Sequence, residues 1–170
     1  HGQLTLADGA GEGLDGIGAG SSPFWLDNER YGFVMDAGEG RRSVILSGKI
    51  GQTGLQTLLT TADLAPDGDD DRLRWFDFVA AHPAQPNRLI LVTLDAENSE
   101  TTIDWFRGAQ PEATLFVYDL EAGEVVLSYQ FAEDISSSRS YRFSPNGRFL
   151  LLGEGAEYRQ TVVHVVDTQT

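Results

Sequence analysis

The chain has 170 residues, enough for one ordinary domain with its own core, and its 41% apolar and 10% aromatic content is that of a folded protein. Twelve basic residues against 26 acidic ones give a formal net charge of −14, a field that repels nucleic acid and anionic membrane surfaces and favours cationic partners. With no cysteine, disulfides and thiolate metal sites are excluded and the compartment stays open, and no apolar run approaches the ~20 residues of a membrane-spanning helix.

Taken in order, Gln3–Ala7 reads as a short strand, and the amino end, His1-Gly2, reads as a processed or engineered terminus. Residues 9–20 are glycine-rich, the composition of a flexible connection. Gly11-Glu12-Gly13-Leu14-Asp15-Gly16 matches G-x-G-x-x-G in form only. Phosphate binding there needs a helix directly afterwards, and glycines followed by Ser22-Pro23 prevent one. The first repeat begins at Ser22, with strands expected at 22–26, 31–35, 43–46 and 55–60. The second has strands at 75–80, 89–93, 114–119 and 124–129, with a polar insertion over 95–113. Leu89–Thr93 is continuously apolar, which predicts a strand covered on both faces. The third repeat is Tyr141–Asp167, where Ser144-Pro145-Asn146-Gly147-Arg148 makes a turn between strands and Thr161–Asp167 is rich in β-branched residues.

The turns align across the repeats through Pro23, Pro83 and Pro145 and through Arg30, Arg88 and Arg148, each Arg preceding an aromatic-aliphatic or aliphatic strand. The pattern of strand, Ser-Pro-Asn-Gly-Arg turn, apolar strand, and Val-rich strand ending in Asp resembles a β-propeller blade of the WD40-like or TolB-like kind, as does Leu115–Val126. No Gly-His and Trp-Asp pairing of the strict WD40 type is present. The resemblance implies an all-β, propeller-like fold of about three four-stranded antiparallel blades. Its divisions are 1–21 (strand and Gly-rich segment), 22–71 (blade 1), 72–134 (blade 2) and 135–170 (blade 3, incomplete). Three blades do not close a ring, so the chain is expected to be part of a larger propeller or half of a dimeric ring. Leu4–Leu6 is available as a latch for the strand that blade 3 lacks. A β-sandwich is the alternative for the same strands.

The chemistry-bearing residues are few. Asp67, Asp69 and Asp71 alternate as in calcium loops, where hard oxygens converge on one ion, but Phe78 stands where a twelfth-position Glu would complete the set. A solvated acidic turn is the competing reading, and no other cofactor is indicated. His82 falls in a turn and is expected to make local hydrogen bonds, and His164 alternates with valines on a packed strand. Asp119 and Asp167 end equivalent strands, where a carboxylate caps the turn by accepting backbone N–H bonds. There is no G-x-S-x-G elbow and no S-x-x-K. Trp25 and Trp75 are expected in the core on inner strands. Trp105, Phe106 and Arg107 lie in the insertion and have the composition of an interface hot spot, against the alternative that Trp105 pins the insertion to its blade. The expected function is a non-catalytic binding or scaffold module with a protein partner. The alternative is the propeller part of a hydrolase, a serine peptidase or a metal-dependent lactonase.

Overall fold

A computed structural model of the chain describes residues 23–36, 43–64, 73–96, 112–131, 139–154 and 162–169. They form eleven strands and one 3-10 turn, arranged as three antiparallel sheets. The first sheet contains β1 (Phe24–Trp25), β2 (Arg30–Asp36), β3 (Ser43–Lys49) and β4 (Gln56–Thr60), followed by the 3-10 turn Thr61–Leu64. The second contains β5 (Leu73–Ala81), β6 (Arg88–Ala96), β7 (Glu112–Asp119) and β8 (Glu124–Gln130). The third contains β9 (Arg139–Phe143), β10 (Phe149–Glu154) and β11 (Val162–Asp167). Within each sheet every strand pairs with its neighbour in sequence, so each is a meander. The four-, four- and three-stranded pattern is the one expected of three blades, the last short of its fourth strand among the described residues.

The sheets stack through two apolar clusters, and β6 explains both. Its period-2 alternation sends Leu89 and Leu91 to one side, where they meet Leu26, Val34, Ile45 and Leu59 of blade 1. Ile90, Val92 and Leu94 go to the other side and meet Leu150, Leu152 and Val166 of blade 3. A strand covered on both faces favours apolar side chains on each, hence the run Leu89–Val92, with Thr93 its one buried polar residue before Leu94. Each Leu or Ile buried this way contributes about 1.5–3 kcal/mol.

β5 keeps the same two-sided arrangement only by breaking register. Its pairing with β6 shifts between Phe76 and Phe78, leaving Asp77 as the extra residue. Trp75 and Phe78 therefore both pack on the blade 3 side, while Phe76 and Val79 pack on the blade 1 side. Three residues apart in an unbulged strand, Trp75 and Phe78 would face opposite ways.

The sequence expectation for Trp25 is corrected. Phe24 pairs with Gly32 and lies against its missing side chain, packing on the blade 1–blade 2 cluster. Trp25, next along the strand, must then face the other way, and it is 61% exposed. Trp75 is half-buried against the second cluster. The alignment of Pro23 is also corrected: it precedes β1, whereas Pro83 and Pro145 each open the turn that follows an inner strand. The residue of blade 1 equivalent to His82 and Ser144 is Leu26, because each N–H bonds the carbonyl of the residue that opens the next strand: Arg30, Arg88 and Phe149 respectively.

Candidate functional site at the turn end of the blades

The turns after the inner strands, 26–29, 82–87 and 144–148, lie at one end of the sheets, together with the β3–β4 and β7–β8 turns. Their construction is local. In blade 3 the Gly147 N–H bonds the Ser144 carbonyl at 2.8 Å, and Gly147 takes φ +73°, a conformation that favours glycine. Ser144 Oγ accepts the Phe149 N–H at 2.9 Å. In blade 2 the same place is taken by His82, whose Nδ1 accepts the Ala84 N–H at 3.1 Å.

His82 does more than close its own turn. With Nδ1 accepting, the ring hydrogen sits on Nε2, which faces Thr168 Oγ1 at 3.1 Å. The Thr168 hydroxyl is in turn directed at the Gly147 and Arg148 carbonyls, at 3.1 and 2.9 Å. This chain joins blade 2 to blade 3, and both His82 and Thr168 are buried. Burial, reinforced by the nearby Arg88 charge, pushes the His82 pKa below its ordinary value. With both ring nitrogens engaged, His82 is not available as a base. It is a structural pin, as a local hydrogen-bonding role predicts, with a longer reach.

Arg88 and Arg148 each meet the aspartate that ends the neighbouring strand, although the alignment of Arg148 is corrected by one residue: Phe149 pairs with Asp167 as Arg88 pairs with Asp119. Asp119 Oδ1 accepts the Glu121 and Ala122 N–H groups at 3.0 and 3.1 Å, and Arg88 lies 3.6 Å from its other oxygen. Asp167 Oδ1 accepts the Gln169 N–H at 3.0 Å, while Arg148 donates twice to Oδ2, at 3.0 and 2.9 Å. Both carboxylates are held below their usual pKa, Asp119 chiefly by the Ala122 N–H and Asp167 chiefly by Arg148. In blade 1 the equivalent position is Lys49, which pairs with Glu29 at 2.8 Å. Arg30 there turns to Asp27 at 2.6 Å. Asp27 also accepts the Glu29 and Arg30 N–H groups, and these bonds, the Glu29 one largest, lower its pKa to about 2.

Where blade 1 meets blade 2, this end opens into a cleft of about 560 Å³. Trp25, Leu26, Asp27 and Asn28 line one wall, and Ala81, His82, Pro83 and Pro86 the other. Gln85, in the same turn, has a buried Oε1 with no hydrogen-bond partner among the described residues. An exposed indole, two prolines and short polar groups on turns give the cleft a preformed, partly apolar lining. The sequence signal for this cleft was present in Phe24-Trp25: adjacent residues of a strand cannot both face one core. Nearer the inner strands, the residue released by the β5 bulge is used between blades. Tyr141 Oη donates to Asp77 Oδ2 at 2.6 Å, and the Tyr141 ring stacks on Phe78 with centroids 4.2 Å apart.

The interface residues expected from the sequence, Trp105, Phe106 and Arg107, lie outside the described residues. So do Asp67, Asp69 and Asp71, read from the sequence as a calcium candidate, and the Gln3–Ala7 segment expected to be a strand. Leu73 pairs with Ala96 and Asp95 with Glu112 at the end of blade 2 opposite the cleft. Among the described residues no group of three His, Asp or Glu side chains could hold a metal ion, and no helix is long and apolar enough to cross a membrane.

No family model matches the chain, and no curated protein matches it in sequence. Solved structures do. The acylaminoacyl peptidase of Pyrococcus horikoshii aligns with 87% of this chain and 23% of its own length, at 12% identity and a TM-score of 0.55. The β-propeller domain of the trilobed protease from Pyrococcus furiosus, described as having an open velcro topology, aligns over 89% of this chain and 41% of that one, at 11% identity and a TM-score of 0.51. A prolyl endopeptidase aligns over 89% and 21%, at 14% identity and a TM-score of 0.51. The fold is therefore of the β-propeller type, and the chain spans about a quarter of the length of the acylaminoacyl peptidase.

Proposed function

We propose that this chain is a propeller segment acting as a non-catalytic binding module, with a polypeptide partner held at the turn-end cleft between blades 1 and 2. The carrying observation is Trp25, a large aromatic left 61% exposed at the wall of a cleft of about 560 Å³, between Phe24 and Leu26 of the inter-blade cluster. Exposed aromatics on preformed surfaces supply contact area at low entropic cost and dominate interface energetics. The net charge of −14 favours a cationic partner. Trp105, Phe106 and Arg107 are proposed as a second contact, and calcium at Asp67, Asp69 and Asp71 as an accessory ligand. Capture of polypeptides by the wild-type chain and by Trp25→Ala and Trp105→Ala variants of matched thermal stability tests this reading. Loss of the same captured species with Trp25→Ala supports it, and an unchanged set overturns it.

A second reading has its own support. Several of the similar solved structures belong to peptidases, so the chain also fits the propeller part of a serine peptidase whose catalytic residues stand outside residues 1–170. Peptide hydrolysis by the longer protein, abolished by a serine-reactive phosphonate, would favour that reading over a scaffold. The two share the same premise, a propeller that contacts polypeptide without carrying out the chemistry itself.

A further inference from the structure

One turn serves both inter-blade interfaces. The segment 82–87 is closed by main-chain bonds of its own, His82 N–H to the Arg88 carbonyl at 2.8 Å and Arg88 N–H to the Gln85 carbonyl at 2.9 Å. On one side His82, Pro83 and Pro86 wall the cleft, opposite Trp25 and Asp27. On the other side the blade 3 turn packs so closely that a methyl at Gly147 would fall 2.8 Å from Pro83 Cγ and 3.3 Å from the Ala84 nitrogen. His82 is common to the two sides. Its Nδ1 holds the cleft turn through Ala84, and its Nε2 holds blade 3 through Thr168. The Ala84 bond needs the neutral ring, because an imidazolium would set a second hydrogen against that N–H.

The surroundings offer such a charge no partner. Arg88, opening β6 of the same blade, is the charge that bears on the ring, and it lies 3.6 Å from Asp119 at the end of β7. Blade 3 presents the Phe143 ring, the Thr168 hydroxyl and the Gly147 and Arg148 carbonyls, while the Arg148 guanidinium is held by Asp167. From blade 1, Asp27 stands on the opposite wall, tied to Arg30. Among the described residues no carboxylate reaches the imidazole. From this we infer that His82 is a proton-operated latch shared by the cleft and the blade 2–blade 3 joint: protonated at Nδ1, the ring leaves Thr168 and turns into the cleft, so that acid fills the cleft and loosens blade 3 in one step. The cleft is the open space beside this buried ring, and a buried charge without a partner moves to water. Burial, which opposes the charged form, keeps the latch shut at neutral pH. The linkage is reciprocal, since a ligand filling the cleft holds the ring in place and lowers its proton affinity. The effect on a partner rests on the proposed role of the cleft; the movement of the ring does not.

The test is an NMR titration of the whole isotope-labelled chain from about pH 7.5 to about pH 5. The Ala84 and Thr168 amides and the Trp25 indole N–H should shift with one midpoint, that of the His82 ring. Amide protection in residues 144–148 should fall about tenfold over the same range. His82→Gln should show none of this. Thr168→Val should leave the ring and the cleft titrating while blade 3 is poorly protected throughout, and Thr168→Ser should restore the response. The latch is overturned by a Trp25 indole that stays fixed while His82 titrates, or by blade 3 protection that does not change. An unaltered blade 3 response in Thr168→Val overturns it too, as does loss of all amides at once before His82 takes up its proton. Where Thr168→Val fails to fold, wild type against His82→Gln decides. Regulation of binding is read separately: polypeptides captured through Trp25 at about pH 7.5 should be released at about pH 5.5 by wild type and retained by His82→Gln. Capture that ignores Trp25→Ala removes the binding reading and leaves the latch to be judged by the titration. Trp25-dependent capture that is equal at both pH values overturns the regulatory role.

Discussion

The blade 1–blade 2 and blade 2–blade 3 interfaces are built from the two faces of one sheet, yet they are finished differently. On the first, the cluster runs from the inner strands to the outer hairpin of blade 2 and closes over Leu59 and Leu64. On the second, packing is dense around Ile90, Val92, Leu150 and Leu152 but stops short of Tyr129. The polar contacts compensate in the reverse order. The second interface has the His82–Thr168 chain and the Tyr141–Asp77 bond, whereas the turn end of the first is an open cleft. A repeat therefore fixes which positions face each other, while the packing of the neighbouring sheet decides whether they are buried.

Four experiments test that contrast, from the largest expected effect to the smallest. Leu59→Ala should cost about 2–5 kcal/mol in denaturant unfolding, since it leaves a cavity in a closed cluster. Tyr129→Ala, on the fourth strand of blade 2 as Leu59 is on that of blade 1, should cost about 1 kcal/mol or less; similar losses would erase the distinction between the interfaces. Gly147→Ala should cost about 1–3 kcal/mol. It forces a side chain into φ +73° and brings a methyl within 2.8 Å of Pro83 Cγ, against the turn of blade 2.

The pH response should separate the interfaces next. A histidine with a depressed folded-state pKa binds fewer protons folded than unfolded, so its contribution is complete above pH 6.5 and declines as pH falls below that value. Protonation also places a hydrogen on Nδ1 facing the Ala84 N–H. Unfolding midpoints should drop between pH 7 and 5 in the wild type and stay flat in His82→Gln, with amide exchange accelerating first in blade 3. The smallest effect belongs to Asp27. Its contribution is present above about pH 4 and lost as pH falls through about 2, and Asp27→Asn should remove only that acid limb from the titration.

Much of the fold is legible in the residues. The alternation and continuous apolar runs place the strands, and β6 announces its two covered faces before any contact is known. Pro145, Asn146 and Gly147 mark their turn, and Asp119 and Asp167 identify themselves as caps at the ends of equivalent strands. The cleft was half-legible: Phe24-Trp25 requires one outward ring, but not which wall it joins.

What composition and periodicity determined was local: strand positions, turn chemistry, the absence of thiols and the strongly acidic field. Tertiary structure alone decided that Leu59 is sealed while Tyr129 is open, that His82 reaches Thr168 across 86 residues of chain, and that the bulge at Asp77 turns Trp75 and Phe78 to one side. Each depends on which sheet lies opposite. Burial is a property of the neighbour as much as of the residue, and a sequence read strand by strand carries the pattern of a face without the identity of what covers it.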